Sequence, residues 1–107
     1  MQVAERMRTA VVLVRPSDSV RAAWGLLREH RIRHLPVVED GRLVGIVTDR
    51  DICMAAYTTG RTLADIPVVN TMARQVYSCQ AGEPIVVAER LMRDHQVRRI
   101  PVVDDEN

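Results

Sequence analysis

The sequence repeats itself once. Shifted by 65 positions, Met7 falls on Met72, Val11 on Val76, Ala23 on Ala88, Leu26 on Leu91, Arg28 on Arg93, His30 on His95 and Arg33 on Arg98, without a gap. Pro36-Val37-Val38 then falls on Pro101-Val102-Val103. Self-similarity at a fixed period means that one supersecondary unit is used twice. A chain of 107 residues has room for one domain built of two such halves, and a multidomain enzyme is excluded.

Within the unit, Val11-Val12-Leu13-Val14 is a β-branched run closed by Arg15-Pro16-Ser17-Asp18, which predicts a buried strand and a turn. Val20, Ala23, Trp24 and Leu27 recur at i, i+3, i+4 and i+7, with Ser17, Asp18 or Ser19 available as N-cap, so a helix is expected over 19–30. Leu35 to Val38 and Leu43 to Val47 are two apolar strands joined by Glu39-Asp40-Gly41-Arg42, where Asp-Gly is a strong hairpin signal. Ile52, Ala55 and Ala56 then predict a second helix closing near Gly60. Strand, helix, strand, strand, helix reads as α/β (or α+β), with helices covering one face of a small sheet.

The second copy repeats the strand (Val76 to Cys79), the helix (Ile85, Ala88, Leu91, Met92, His95) and the next strand (Ile100 to Val103), and reaches Asn107. The counterpart of Leu43 to Gly60 is missing. The expected organisation is a first repeat over 1–60, a linker over 61–71, and a second repeat over 72–107 cut short before its last strand and helix, with a strand edge left unpaired.

Composition narrows the function classes. All 15 cations are Arg and stand against 14 acidic residues, a formal net charge of +1, without the basic excess of a general nucleic-acid binder. Aromatic residues make up 3% (Trp24, Tyr57, Tyr77), so stacking platforms for single strands are scarce. Cys53 and Cys79 have no C-x-x-C partner, which fits small buried hydrophobes in a reducing compartment rather than a metal knuckle or redox pair. There is no apolar run of ~18 residues and no apolar signal core at the N-terminus, so membrane insertion and export are not expected, and the expected location is cytoplasmic.

Catalysis is not expected either. Asp49 and Asp51 form a carboxylate pair without an accompanying nucleophile or His base, and neither G-x-G-x-x-G nor G-x-x-x-x-G-K-[ST] occurs. His30 and His34 stand at i, i+4, but the helix should end between them and the repeat puts Arg99 at the second position, so no metal site is predicted. Trp24 lies on the apolar side of its helix while its repeat partner is Glu89, an asymmetry that places a subunit interface at Trp24 among the expectations.

The stretch from Ile32 to Ile52, IRHLPVVEDGRLVGIVTDRDI, resembles the cystathionine β-synthase (CBS) domain. Met7, the Pro16-to-Val20 turn and the second copy up to Asp105 resemble it too, so the likeness spans nearly the whole chain. Its most specific piece is Gly-Ile-Val-Thr-x-x-Asp, one hairpin after Leu-Pro-Val-Val, and two copies make a Bateman module. The resemblance implies a non-catalytic regulatory module, a homodimer, that binds AMP, ADP, ATP or S-adenosylmethionine in clefts between repeats and modulates another protein. Carried over by position, it implies Asp51 on a ribose diol and Thr48 on ribose or phosphate. Ile46 and Arg50 would flank them, Arg33 would reach toward phosphate, Met72, Tyr77 and Val97 would lie against adenine, and Arg98 near the phosphates.

Each assignment has a plain alternative. Thr48-x-x-Asp51 also reads as a helix capping box, although a helix N-terminus with free N–H groups favours an anion as well. Arg33, Arg98 and Arg99 are either solvated charges or, since they recur at one place in both repeats, a phosphate cradle. Tyr77 is a strand residue or an adenine wall. The module as a whole is a ligand sensor, a dimerisation scaffold that needs no ligand, or a regulatory fragment of a larger enzyme or transporter.

Overall fold

The structure, a computed structural model, describes residues 1–5, 7, 11–74, 76–95 and 100–103. The chain divides into two compact units, Val12–Val76 and Met1–Val11 with Tyr77–Asn107. In order along the chain come helix α1 (Val20–Glu29), strands β1 (His34–Glu39) and β2 (Arg42–Thr48), helix α2 (Asp49–Thr59), strand β3 (Cys79–Gln80), helix α3 (Ile85–Asp94) and strand β4 (Val102–Val103). Short 3-10 turns lie at Val3–Glu5, Leu63–Asp65 and Val68–Asn70.

In the unit Val12–Val76, α1 starts where Ser19, extended at ψ 152°, accepts a hydrogen bond from the Ala22 amide at 3.0 Å. Of the three candidate caps Ser19 is therefore the one used, while the Asp18 carboxylate instead accepts from the Arg15 amide in the preceding turn. Val20, Ala23 and Leu27 are buried, as their spacing predicts, and Trp24 packs half-buried against the same core, which locates its ring partly within its own unit. β1 and β2 pair antiparallel from His34↔Thr48 to Glu39↔Arg42, with an irregularity at Val37/Val38. The two-residue turn has Asp40 at φ 52° and Gly41 at φ 77°, positive at both central positions, the turn whose twist suits a hairpin. α2 ends on Gly60 at φ 66°, a left-handed C-cap open to glycine.

The run Val11 to Val14, predicted as a buried strand, pairs only at Val14, which bridges Val37 in parallel; Val11 and Leu13 are 56% and 46% exposed. Of the four residues of the run only Val14 reaches the sheet and is buried, before Pro16 interrupts it. The stretch 61–71, expected as a linker, folds against α1. Val20 donates to the Ile66 carbonyl and Val68 to that of Asp18, each at 2.8 Å, and Ile66 and Val68 are buried in the core with Leu35, Val37, Val47 and Ile52.

In the other unit, β3 and β4 pair in parallel, Cys79 with Val102 and Gln80 with Val103. The strand predicted from Val76 thus begins at Cys79. Ala88 of α3 is buried with Val3 and Cys79, and Met7, Leu91, Met92, Ile100 and Val102 pack around them. Val3 donates to the Glu83 carbonyl at 2.9 Å, Ala4 to Ala81 at 2.9 Å, and Ile85 to Met1 at 2.8 Å, so the first five residues are stitched onto the second repeat. No helix among the described residues is long and apolar enough to cross a membrane.

Candidate functional site

The sequence-predicted cluster gathers where β2 runs into α2. Along β2 the buried residues are Gly45 and Val47, so by the two-residue period of a strand Ile46 and Thr48 lie together on the other, half-buried face. Thr48 is extended at φ −117° and ψ 163° and caps α2: its hydroxyl oxygen accepts from the Asp51 amide at 3.1 Å. The Asp51 carboxylate answers, its Oδ2 accepting from the Thr48 amide at 3.0 Å. This is a capping box with Asp in the place of the commoner Glu.

The first turn of α2 has no spare backbone donor. The Asp49 amide donates to the Arg33 carbonyl at 3.3 Å and the Arg50 amide to Asp49 Oδ1 at 2.8 Å, while that of Asp51 is held by Thr48. The free N–H groups expected at this helix start are therefore already filled, which corrects the expectation that the backbone here would bind an anion. What remains is side-chain chemistry. Asp51 keeps Oδ1 as an acceptor, engaged by no hydrogen bond among the described residues, and Thr48, having accepted, keeps its hydroxyl proton to donate. One acceptor and one donor side by side match the two hydroxyls of a vicinal diol, one donating to Asp51 and the other accepting from Thr48. A phosphate would have to be met by the exposed guanidinium groups of Arg33 and Arg50.

Met72 comes to β2 by an interaction that sequence reasoning missed, with its thioether on the Gly45 face and against the core, not on the face of Ile46 and Thr48. Ile46 and Ala73 exchange backbone hydrogen bonds at 3.0 and 2.8 Å, an isolated antiparallel bridge on the free side of β2. The approach is so close that a Cβ on Gly45 would stand 2.6 Å from Met72 Sδ and 2.9 Å from the Ala73 carbonyl oxygen. Glycine inside an otherwise β-branched strand was the available signal for such an approach. Arg33, Ile46, Thr48, Arg50, Asp51 and Met72 thus share one unit.

Tyr77 belongs to the other unit, where its ring stacks on that of His95, with centroids 3.5 Å apart and planes at 12°. Val97, Arg98 and Arg99 lie outside the described residues. His30 ends α1 as its C-cap and His34 opens β1, so the helix does end between them. Among the described residues no three His, Cys, Asp or Glu side chains are grouped to hold a metal ion. Cys79 is buried, but Cys53, expected to be buried too, is exposed on α2, because one helical step turns it about 100° from Ile52, the buried residue of that helix.

Comparison with known proteins adds the following. A family model described as the CBS domain matches residues 3–57 and 63–107. The CBS domain-containing protein YhcV of Bacillus subtilis is 36% identical over 105 residues, covering 98% of this chain and 74% of YhcV. A homoserine O-acetyltransferase of Methanococcoides burtonii is 39% identical over 106 residues, and this chain spans only 21% of that enzyme. Among solved structures, Hypoxic Response Protein I with two coordinated zinc ions superposes with a TM-score of 0.87 at 30% identity, covering 98% of this chain and 86% of that one. The CBS domain pair of protein MJ0100, in complex with 5-methylthioadenosine and S-adenosyl-L-methionine, gives 0.83 at 28% identity over 98% and 82%. CBSX2 in complex with AMP gives 0.83 at 30% identity over 98% and 83%.

Proposed function

The chain belongs to the CBS domain family, of which it carries two copies, and from that premise we propose that it is a regulatory module that binds an adenosyl ligand and modulates a partner protein, without catalysing a reaction itself. The ligand is AMP, ADP, ATP or S-adenosylmethionine, and the module works in the cytoplasm as a homodimer. Asp51 takes the ribose diol through Oδ1 and Thr48 donates to one ribose oxygen. Ile46 gives the apolar flank beside Thr48, and Arg33 and Arg50 face a phosphate where the ligand has one.

The observation that carries this reading is the division of labour within the capping box. Oδ2 of Asp51 and the Thr48 oxygen are spent on the helix, while Oδ1 and the Thr48 proton are not. MJ0100 and CBSX2, whose solved structures hold S-adenosyl-L-methionine with 5-methylthioadenosine and AMP, support the ligand class. A ligand acts as a signal only through unequal affinity for two arrangements of the module, which is how regulation would follow from binding.

The test is calorimetry with AMP, ATP and S-adenosylmethionine on the wild type and on Asp51→Ala, with circular dichroism to show that both are folded. At least one ligand should bind the wild type, and the substitution should weaken it by roughly tenfold or more, as expected when a charge-assisted hydrogen bond is lost. Equal affinity for wild type and variant would overturn the assignment of Asp51. The capping box also favours a second reading, a scaffold in which Thr48 and Asp51 serve the helix alone, and absence of binding by all three ligands to the folded wild type would count against sensing and for that reading.

A further inference from the structure

The ring of Tyr77 rests on the imidazole of His95. Centroids 3.5 Å apart at an interplanar angle of 12° leave almost no offset, so the imidazole covers one face of the phenol ring. The two rings come from segments that share a core: Tyr77 stands two residues before the buried Cys79, and His95 is the C-cap of α3, whose Ala88 is buried with Cys79. The cap is made by the backbone, the His95 amide donating to the Leu91 carbonyl at 3.1 Å, which leaves the imidazole to the phenol. At the 65-residue offset the first repeat puts Val12 and His30 in these places. There Val12 packs against the core, and His30 caps α1 by the same backbone bond, to Leu26 at 3.0 Å. Tyr77, by contrast, is half-buried and is not among the side chains packed on the core of its unit. A ring that stands where the other repeat has a core-packed valine, and lies on an imidazole instead of on the core, is a flat surface rather than filling. The other two aromatic side chains offer nothing comparable, since Trp24 packs on its core and Tyr57 stands 86% exposed.

We propose that His95 is a positioning residue for ligand binding: its imidazole braces Tyr77, and the face of the Tyr77 ring turned away from His95 stacks on the adenine of the ligand. This rests on the adenosyl reading above and adds the group that holds the base. Stacking on an aromatic side chain contributes affinity through the π-face that every base has. A ring already fixed by its neighbour loses little freedom when the base arrives, and that saving is what His95 supplies.

Calorimetry with AMP and S-adenosylmethionine on the whole chain, with circular dichroism to check folding, tests both rings. Tyr77→Ala should weaken the ligand that the wild type binds by roughly tenfold or more. His95→Ala should weaken it by roughly fivefold. His95→Phe and Tyr77→Phe, which keep a flat ring in each place, should bind as the wild type does, a rescue that a residue serving only the helix cap would not show. In NMR spectra of the wild type with its ligand, nuclear Overhauser contacts should join adenine H2 or H8 to the Tyr77 ring. Contacts from adenine to the His95 imidazole in place of Tyr77 would show that the base displaces the imidazole, and overturn the bracing. A wild type whose binding falls with Asp51→Ala but is indifferent to His95→Ala overturns this inference and leaves the ligand reading standing. A folded wild type that binds neither ligand overturns both.

Discussion

Thr48 and Asp51 hold each other in place, hydroxyl oxygen to amide at 3.1 Å and carboxylate to amide at 3.0 Å, across the first turn of α2. The arrangement fixes the Asp51 rotamer before any ligand arrives, so that binding a diol there needs little further ordering of the carboxylate. Helix stability and ligand geometry depend on the same two side chains, and substitutions can separate them.

Thr48→Ser keeps an oxygen at the cap and a proton to donate, whereas Thr48→Val keeps the shape and loses both. Thr48→Ser should resemble the wild type in urea unfolding and in affinity for AMP. Thr48→Val should lose about 1 kcal/mol of stability, the usual worth of an N-cap, and roughly tenfold in affinity. If Thr48→Val binds AMP as tightly as Thr48→Ser, the hydroxyl does not touch the ligand.

Much of this was legible because the deciding signals are local. The Asp40-Gly41 turn, the Gly60 cap, the periodic face of α1 and the Thr48-x-x-Asp51 box each depend on residues within a few positions of one another. What was not legible depends on chain segments that meet from afar. Nothing near Val11 says that only Val14 will find a partner strand, and nothing near Ile66 says that the presumed linker will be buried against α1. Likewise the filling of the Asp49 amide by the Arg33 carbonyl joins positions 16 apart, so sequence reasoning assumed an open helix start where the structure shows a closed one. The one long-range contact that did leave a trace is at Gly45, where a missing side chain marks the passing of another backbone.

Gly45→Ala should therefore be costly although it adds a single methyl. The new Cβ would stand 2.9 Å from a backbone carbonyl, that of Ala73, which is itself hydrogen-bonded to Ile46 and cannot swing aside like the Met72 thioether. Overpacking of this kind costs roughly 1–3 kcal/mol. Urea denaturation should show it, and Met72→Ala should relieve only part of it. A full rescue by Met72→Ala would mean that the thioether, not the backbone, sets the limit.

Val3 is remote in sequence from the helix it packs with. Val3→Ala removes two carbons from the core shared with Cys79 and Ala88, at ~0.8 kcal/mol each, so the cost is about 1.5–2 kcal/mol. Amide exchange read residue by residue should quicken by about tenfold around Ala88 to Met92 while Leu35 to Val47 is left unchanged. Uniform quickening in both units would show that they unfold as one.

The two thiols should differ both in reactivity and in their influence on alkaline stability. Cys53 is exposed and Cys79 is buried, its amide on the Pro101 carbonyl at 3.1 Å. With a thiol reagent at about pH 8, Cys53 should react at once and Cys79 only after unfolding. Burial, and secondarily the charge of Glu83, raise the Cys79 thiol above its ordinary value of 9.0. The unfolded chain then gives up this proton at a lower pH than the folded one, so the thiol's contribution to stability is whole below 9.0 and is lost as pH climbs through the raised folded value. Thermal melts of wild type and Cys79→Ala should show the wild type losing more as the pH rises above 9.0. Parallel decline in the two proteins, or two thiols reacting at one rate in the folded chain, would sink the assignment.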